Sequence, residues 1–135
     1  MLSIPELPRY PKNPSTETRR IVTTMAEDAP VCEHFQRAAE LLGRRWNPQI
    51  LRALMSGSTR FTDLRTAVPG LSDHLLSERL KEFEAAGIVT RTVTPSTPVR
   101  IEYALTDRGR DLERVIGELA VWAERWGRRP VRIAR

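Results

Sequence analysis

Residues 62–88 decide the fold: Thr62-Asp-Leu-Arg-Thr-Ala-Val68, then Pro69-Gly-Leu71, then Ser72-Asp-His-Leu-Leu-Ser-Glu-Arg-Leu-Lys-Glu-Phe-Glu-Ala-Ala-Gly-Ile88. A short helix, a Pro-Gly break and a longer helix are the outline of a helix-turn-helix. Ser72 suits the N-cap, where its hydroxyl accepts from a first-turn backbone N–H that has no helical partner. Leu71 and Leu76 flank that cap at hydrophobic-staple positions. At the far end Gly87 can turn left-handed, folding Ile88 back on Phe83 as in a Schellman motif. Leu76, Leu80 and Phe83 share one face of the helix, while His74, Ser77, Glu78 and Lys81 occupy the other. A helix anchored on one side and polar on the other is what reading the major groove requires.

Working outward, the period changes to two after Gly87. Val89, Arg91 and Val93 alternate with Thr90, Thr92 and Thr94, and after Pro95-Ser96-Thr97-Pro98-Val99 the residues Ile101, Tyr103 and Leu105 alternate with Arg100, Glu102 and Ala104. This predicts a β-hairpin directly behind the second helix, in the position of a wing. Upstream, a helix is expected over Cys32–Leu42, with Phe35, Ala38, Ala39 and Leu42 on one face. The next opens with Asn47 as N-cap and Pro48 at the first helical position, with Trp46 and Leu51 as a staple. Ser58 to Phe61 reads as a short extended piece. Downstream, Thr106 caps one long helix to about Trp126. Its apolar stripe, Leu112, Val115, Ile116, Leu119, Trp122 and Trp126, is longer than so small a core needs and predicts a subunit partner. The fold class expected is therefore mainly α with one small β-hairpin, a winged helix-turn-helix forming a homodimer.

A chain of 135 residues, 40% hydrophobic, has room for one compact domain. No apolar run reaches membrane-spanning length and no signal-peptide core opens the chain, so a soluble cytoplasmic protein is expected. One cysteine excludes an intrachain disulfide framework. The net charge of +5 is informative only through its distribution. Residues 1–30 balance four basic against four acidic groups, and Arg128, Arg129, Arg132 and Arg135 follow Trp126 with no acid. Arg44, Arg45, Arg52 and Arg60 lie in a stretch free of acids. Residues 1–30, carrying Pro5, Pro8, Pro11, Pro14 and Pro30, read as an extended or disordered arm. The domain is expected over 31–126 and a basic tail over 127–135.

Several ordered motifs resemble the HxlR-type transcriptional regulators. They are Cys32, Leu41-Leu42-Gly43-Arg44-Arg45-Trp46, Ile50-Leu51-Arg52-Ala53-Leu54, Arg60-Phe61-Thr62-Asp63-Leu64-Arg65, Leu71-Ser72, Leu76-Ser77-Glu78-Arg79-Leu80, Gly87-Ile88-Val89 and Ile101-Glu102-Tyr103-Ala104-Leu105-Thr106. The resemblance covers about residues 31–126. It implies a winged helix-turn-helix homodimer, distantly like MarR-type proteins, joined through its first and last helices and bound near a promoter. Glu33 stands where many members have proline, Asn47-Pro48 replaces a Thr-Leu type of pair, and residues 1–30 exceed the usual leader.

The expected partner is double-stranded DNA carrying a palindromic operator, and the candidate base-reading residues are Ser72, His74, Ser77 and Lys81. Glu78 is able to accept from cytosine or to pair with a neighbouring cation. Arg79 lies close to the apolar face, where a structural ion pair competes with a base contact. Arg60, with Arg44 or Arg45, and the wing residues Arg91 and Arg100 are candidates for phosphate contact or, in the wing, minor-groove insertion. Each has the bland alternative of a solvated surface charge. Candidate dimer-interface residues are Phe35, Leu112, Val115, Leu119, Trp122 and Trp126. The resemblance also gives Cys32 a role, since some of these regulators sense oxidants or electrophiles with a cysteine at the start of the first helix. There the helix dipole favours an anion, and His34 is near. The alternatives are a buried small hydrophobe or a small-molecule effector in a crevice lined by Trp46, Trp122 and Trp126.

Catalysis is not supported. His34 and His74 stand in no metal-ligand spacing, no glycine-rich phosphate loop occurs, and Cys32 and His34, two apart on a helix, do not face each other. No cofactor and no metal are expected. The rival function is a winged-helix module for protein–protein contact.

Overall fold

The computed structural model describes residues 31–127 and, apart from them, Thr16. Most of the expected arm and the four tail arginines lie outside the described residues. Among residues 31–127 six helices and two strands follow in order: α1 (Glu33–Gly43), α2 (Asn47–Met55), α3 (Phe61–Ala67), α4 (Asp73–Ala85), β1 (Val89–Thr94), β2 (Arg100–Leu105), α5 (Asp107–Asp111) and α6 (Glu113–Trp126). The chain divides between Leu42 and Gly43 into two compact units. In the first, α1 runs as expected within a residue at either end and buries none of its side chains.

In the second unit the core is built from the predicted faces. Ile50, Leu51 and Leu54 of α2, Leu64 of α3, Leu76, Leu80 and Phe83 of α4, Ile88, Val89, Tyr103 and Ile116 are all buried. The three α4 residues lie four and three apart, so a single stripe of the helix carries its whole apolar burial. The Pro69-Gly70 break separates α3 from α4, with Gly70 at φ 88°. Both ends of α4 form as the sequence predicts. The Ser72 hydroxyl accepts from the Leu75 N–H, and Leu71 and Leu76 are both buried beneath it. At the C-terminus Gly87 adopts φ 72°, its N–H donating to the Glu84 carbonyl while the Ile88 N–H donates to Phe83. Those two bonds constitute the Schellman motif.

The wing is an antiparallel hairpin with Val89 opposite Leu105 and Thr94 opposite Arg100. Thr59–Arg60 adds a short third edge: the Tyr103 N–H donates to the Thr59 carbonyl at 2.8 Å, and Arg60 bridges Glu102. The extended piece expected over Ser58–Phe61 is thus present but ends at Arg60, because Phe61 already begins α3.

Two expectations are corrected. Asn47 is not the cap of α2: Trp46 is, in a left-handed conformation at φ 78°, and Asn47 lies inside the helix, fully buried. With the cap moved back one residue, the Trp46–Leu51 staple loses its register. Tertiary packing overrides the local signal here, since the Trp46 ring reaches across to Gly70, where a Cβ would stand 3.5 Å from it. The final helix is also not continuous. Thr106 does cap, its hydroxyl accepting from the Gly109 N–H, but the chain tightens at Leu112, whose N–H donates three residues back to Gly109. The expected single helix is therefore α5 followed by α6, with Leu112 between them.

Candidate nucleic-acid interface

Each polar residue of α4 owes its exposure to the burial of the opposite stripe. His74, Glu78 and Lys81 are exposed, Ser77 is half-buried, and Ser72 is exposed at the cap. Arg79 points the other way. It is 7% exposed, and its Nε donates to the Arg45 carbonyl at 3.2 Å. Its guanidinium also approaches Glu82, which takes Arg44 at 2.8 Å. Of the two roles weighed for Arg79, the structural ion pair is the one its geometry fits.

A helix carrying Asp73, Glu78, Glu82 and Glu84 would repel a phosphate backbone if those charges stood bare. Two of them lie against cations, Asp73 against Arg65 at 3.1 Å and Glu82 against Arg44 and Arg79, while Glu78 stands 3.3 Å from the His74 imidazole. The Asp73–Arg65 pair also links α4 to α3 across the turn. Arg60 is partly committed too, with Glu102 at 3.8 Å.

The wing separates two residues that the sequence left together. In the register Arg91 faces the same side as Tyr103, and Arg100 shares the opposite side with Glu102. Arg91 therefore lines a groove with Ser77, Lys81 and Glu84 of α4, floored by Phe61, Ile101 and Tyr103. Arg100 lines another, with Arg60, Phe61, Thr62 and the hairpin tip Ser96–Val99. Phe61, Tyr103 and Glu102 were not singled out as site residues by sequence reasoning. Only the alternation placing Tyr103 inward hinted at them.

The root of the wing is fastened to α5. The Thr106 hydroxyl reaches the Gly87 and Ile88 carbonyls, and Arg108 donates to Ala86 at 3.0 Å. A side chain at Gly109 would collide with the Ile88 carbonyl, so only glycine permits this approach.

In the first unit, Cys32 is exposed and its carbonyl accepts from the Gln36 N–H, which places it at the cap of α1. Phe35 is exposed as well. On α6 only Ile116 is buried, while Val115, Leu119, Trp122 (62% exposed) and Trp126 (47%) face outward. Leu112 is half-buried at the break. Among the described residues no helix is long and apolar enough to cross a membrane, and no cluster of His, Cys, Asp or Glu is able to hold a metal ion.

A helix-turn-helix whose second helix lies beside a hairpin defines the winged helix-turn-helix class of DNA-binding proteins. The chain belongs to the HxlR-like helix-turn-helix family, which matches residues 41–130. It is 48% identical over 96 residues to an uncharacterized HTH-type transcriptional regulator of Bacillus subtilis, YvaP, a match covering 71% of this chain and 89% of that one. It is 42% identical over 96 residues to the transcriptional regulator YodB of the same organism, covering 71% and 86%. The reduced form of YodB superposes with a TM-score of 0.62 at 41% identity, covering 72% of this chain and 95% of that one. YodB has also been solved in diamide-treated and quinone-bound forms. The protein is accordingly a transcriptional regulator of this family.

Proposed function

We propose that this regulator is a cytoplasmic homodimeric repressor that reads a palindromic operator and leaves it when Cys32 is oxidised or alkylated. The observation that carries the DNA reading is α4 itself: buried along Leu76, Leu80 and Phe83, it presents His74, Ser77 and Lys81 outward beside Arg91. Residues 31–126 supply the working domain, between an arm and a basic tail that adds sequence-independent affinity. Base reading falls to Ser72, His74, Ser77 and Lys81; Arg60, Arg91 and Arg100 hold the backbone. Phe35 and the outward stripe of α6 supply the interface with a second copy, since a row of exposed tryptophan and aliphatic side chains is costly to leave in water.

Two facts support thiol control. Cys32 is exposed at the cap of α1, and YodB has been captured reduced, diamide-treated and quinone-bound. An electrophile adding to Cys32, or a disulfide with the same residue of a second copy, is the release signal.

Gel shifts with promoter fragments test this. The dimer is expected to select one fragment, His74→Ala and Ser77→Ala to erode that preference, and Arg100→Ala to weaken all fragments about equally. A dimer that ignores every duplex even at low salt is instead a protein–protein module. Diamide or a quinone is expected to release wild type but not Cys32→Ser. Equal release of both removes Cys32 as the sensor and leaves a non-covalent ligand.

A further inference from the structure

The cations around α4 fall into two groups. Arg44, Arg65 and Arg79 lie within ion-pair distance of acids, and Arg60 does so more loosely. Among the described residues, Lys81 and Arg91 have no such partner. Yet these two, from different elements, line one groove of about 400 Å3 between α4 and the hairpin. The strand register brings them together: Arg91 is on the Tyr103 side of the ribbon, the side that faces α4. Ser77, one turn before Lys81 on the same helix face, adds a hydroxyl donor, and Phe61 and Tyr103 close the floor. Glu84 sits in the groove as well. Two cations and one carboxylate leave a single positive charge, the complement of one phosphodiester.

We infer that this groove seats one backbone phosphate of the operator, gripped jointly by Lys81 and Arg91 with the Ser77 hydroxyl donating to it. The inference rests on the DNA-reading function proposed above and amends it: Lys81 and Ser77 act through the backbone, fixing the register from which Ser72 and His74 read bases, so that Ser77→Ala erodes preference through register. Arg91, a wing residue, thereby acts together with the recognition helix. Arg100, on the opposite side of the ribbon with Arg60, holds a different phosphate. The Lys81–Arg91 seat fixes how far α4 advances along its groove, since a backbone contact sets register without reading sequence. Glu84 limits the grip and keeps non-specific binding weak.

The test uses the full-length protein and a duplex that it selects, with each phosphate of one half-site replaced in turn by neutral methylphosphonate. For wild type, several positions are expected to lose affinity severalfold. One and the same position is expected to fall silent in both Lys81→Ala and Arg91→Ala, and a different one in Arg100→Ala. The Lys81→Ala/Arg91→Ala double variant is expected to flatten the slope of log affinity against log salt by about 1.8, one phosphate's worth for each half-site of the dimer. Glu84→Gln is expected to tighten binding severalfold to all sequences. If Lys81→Ala and Arg91→Ala silence different positions, or if Glu84→Gln weakens binding, the shared seat is overturned while DNA reading stands. If wild type selects no duplex, the proposed function itself falls and the seat with it. Matching melting temperatures for the variants tie each loss to contact rather than to folding.

Discussion

Helices α4 and α6 are nearly the same length and both amphipathic, yet among the described residues only α4 has its apolar stripe covered. α4 buries Leu76, Leu80 and Phe83, closes its N-terminus with Ser72 and its C-terminus with Gly87, and leaves exposed only polar groups and the small Ala85, with Leu75 half-buried. α6 buries Ile116 alone, has no side-chain cap, and turns Val115, Leu119 and Trp122 outward. The lesson is that an apolar stripe marks where a partner surface is needed but not whose chain provides it. For α4 the partner is the core; for α6 a second copy is the proposed one.

The contrast breaks most readily at Phe83. Phe83→Ala is expected to cost about 3–5 kcal/mol, read as a shifted urea midpoint, because a large buried ring leaves a cavity behind. A loss no greater than that of an exposed residue would mean α4 is not held by this stripe. Trp122→Glu is the matching change on α6. It is expected to split the proposed dimer, costing about 2 kcal/mol or more of association if Trp122 lies centrally in that interface. Sedimentation would show the monomer, with its core as stable to urea as before. An unfolded monomer would mean the α6 stripe serves its own core after all. Smaller effects sharpen the account of α4's ends. Gly87→Ala is expected to cost about 1–2 kcal/mol in thermal melting, since φ 72° forces a side chain into the left-handed region. The added Cβ would also crowd Arg108 at 3.2 Å. Ser72→Ala removes one capping bond and is expected to cost about 1 kcal/mol.

How much could be read from sequence follows the same division between local and distant causes. The two ends of α4 were legible because each depends on residues within five positions: Ser72 with Leu75, and Gly87 and Ile88 with Glu84 and Phe83. The hairpin itself was legible from local alternation in its two strands, while the register that sets Val89 opposite Leu105 joins residues 16 apart. Asn47 misled because the Asn-Pro pattern is a local signal, while the left-handed Trp46 answers to packing near Gly70. Arg60 and Arg79 show the limit on the functional side. Their partners, Glu102 and the Arg45 carbonyl, lie 42 and 34 residues away, and no spacing rule points to them. The split of Arg91 from Arg100 was in principle readable, since a period of two places odd and even positions on opposite sides. What alternation did not reveal was that Lys81 would meet only one of them.

Gly109 has a consequence for genetics. It carries no side chain to offer an operator and sits behind the wing, where its bare α-carbon lets α5 lie against the Ile88 carbonyl. Any larger residue there pushes on the strand root from the rear. A screen for mutants that lose control of their target gene should therefore return changes at codon 109, and a map of such mutants drawn as a footprint of DNA contacts would be wrong at that point.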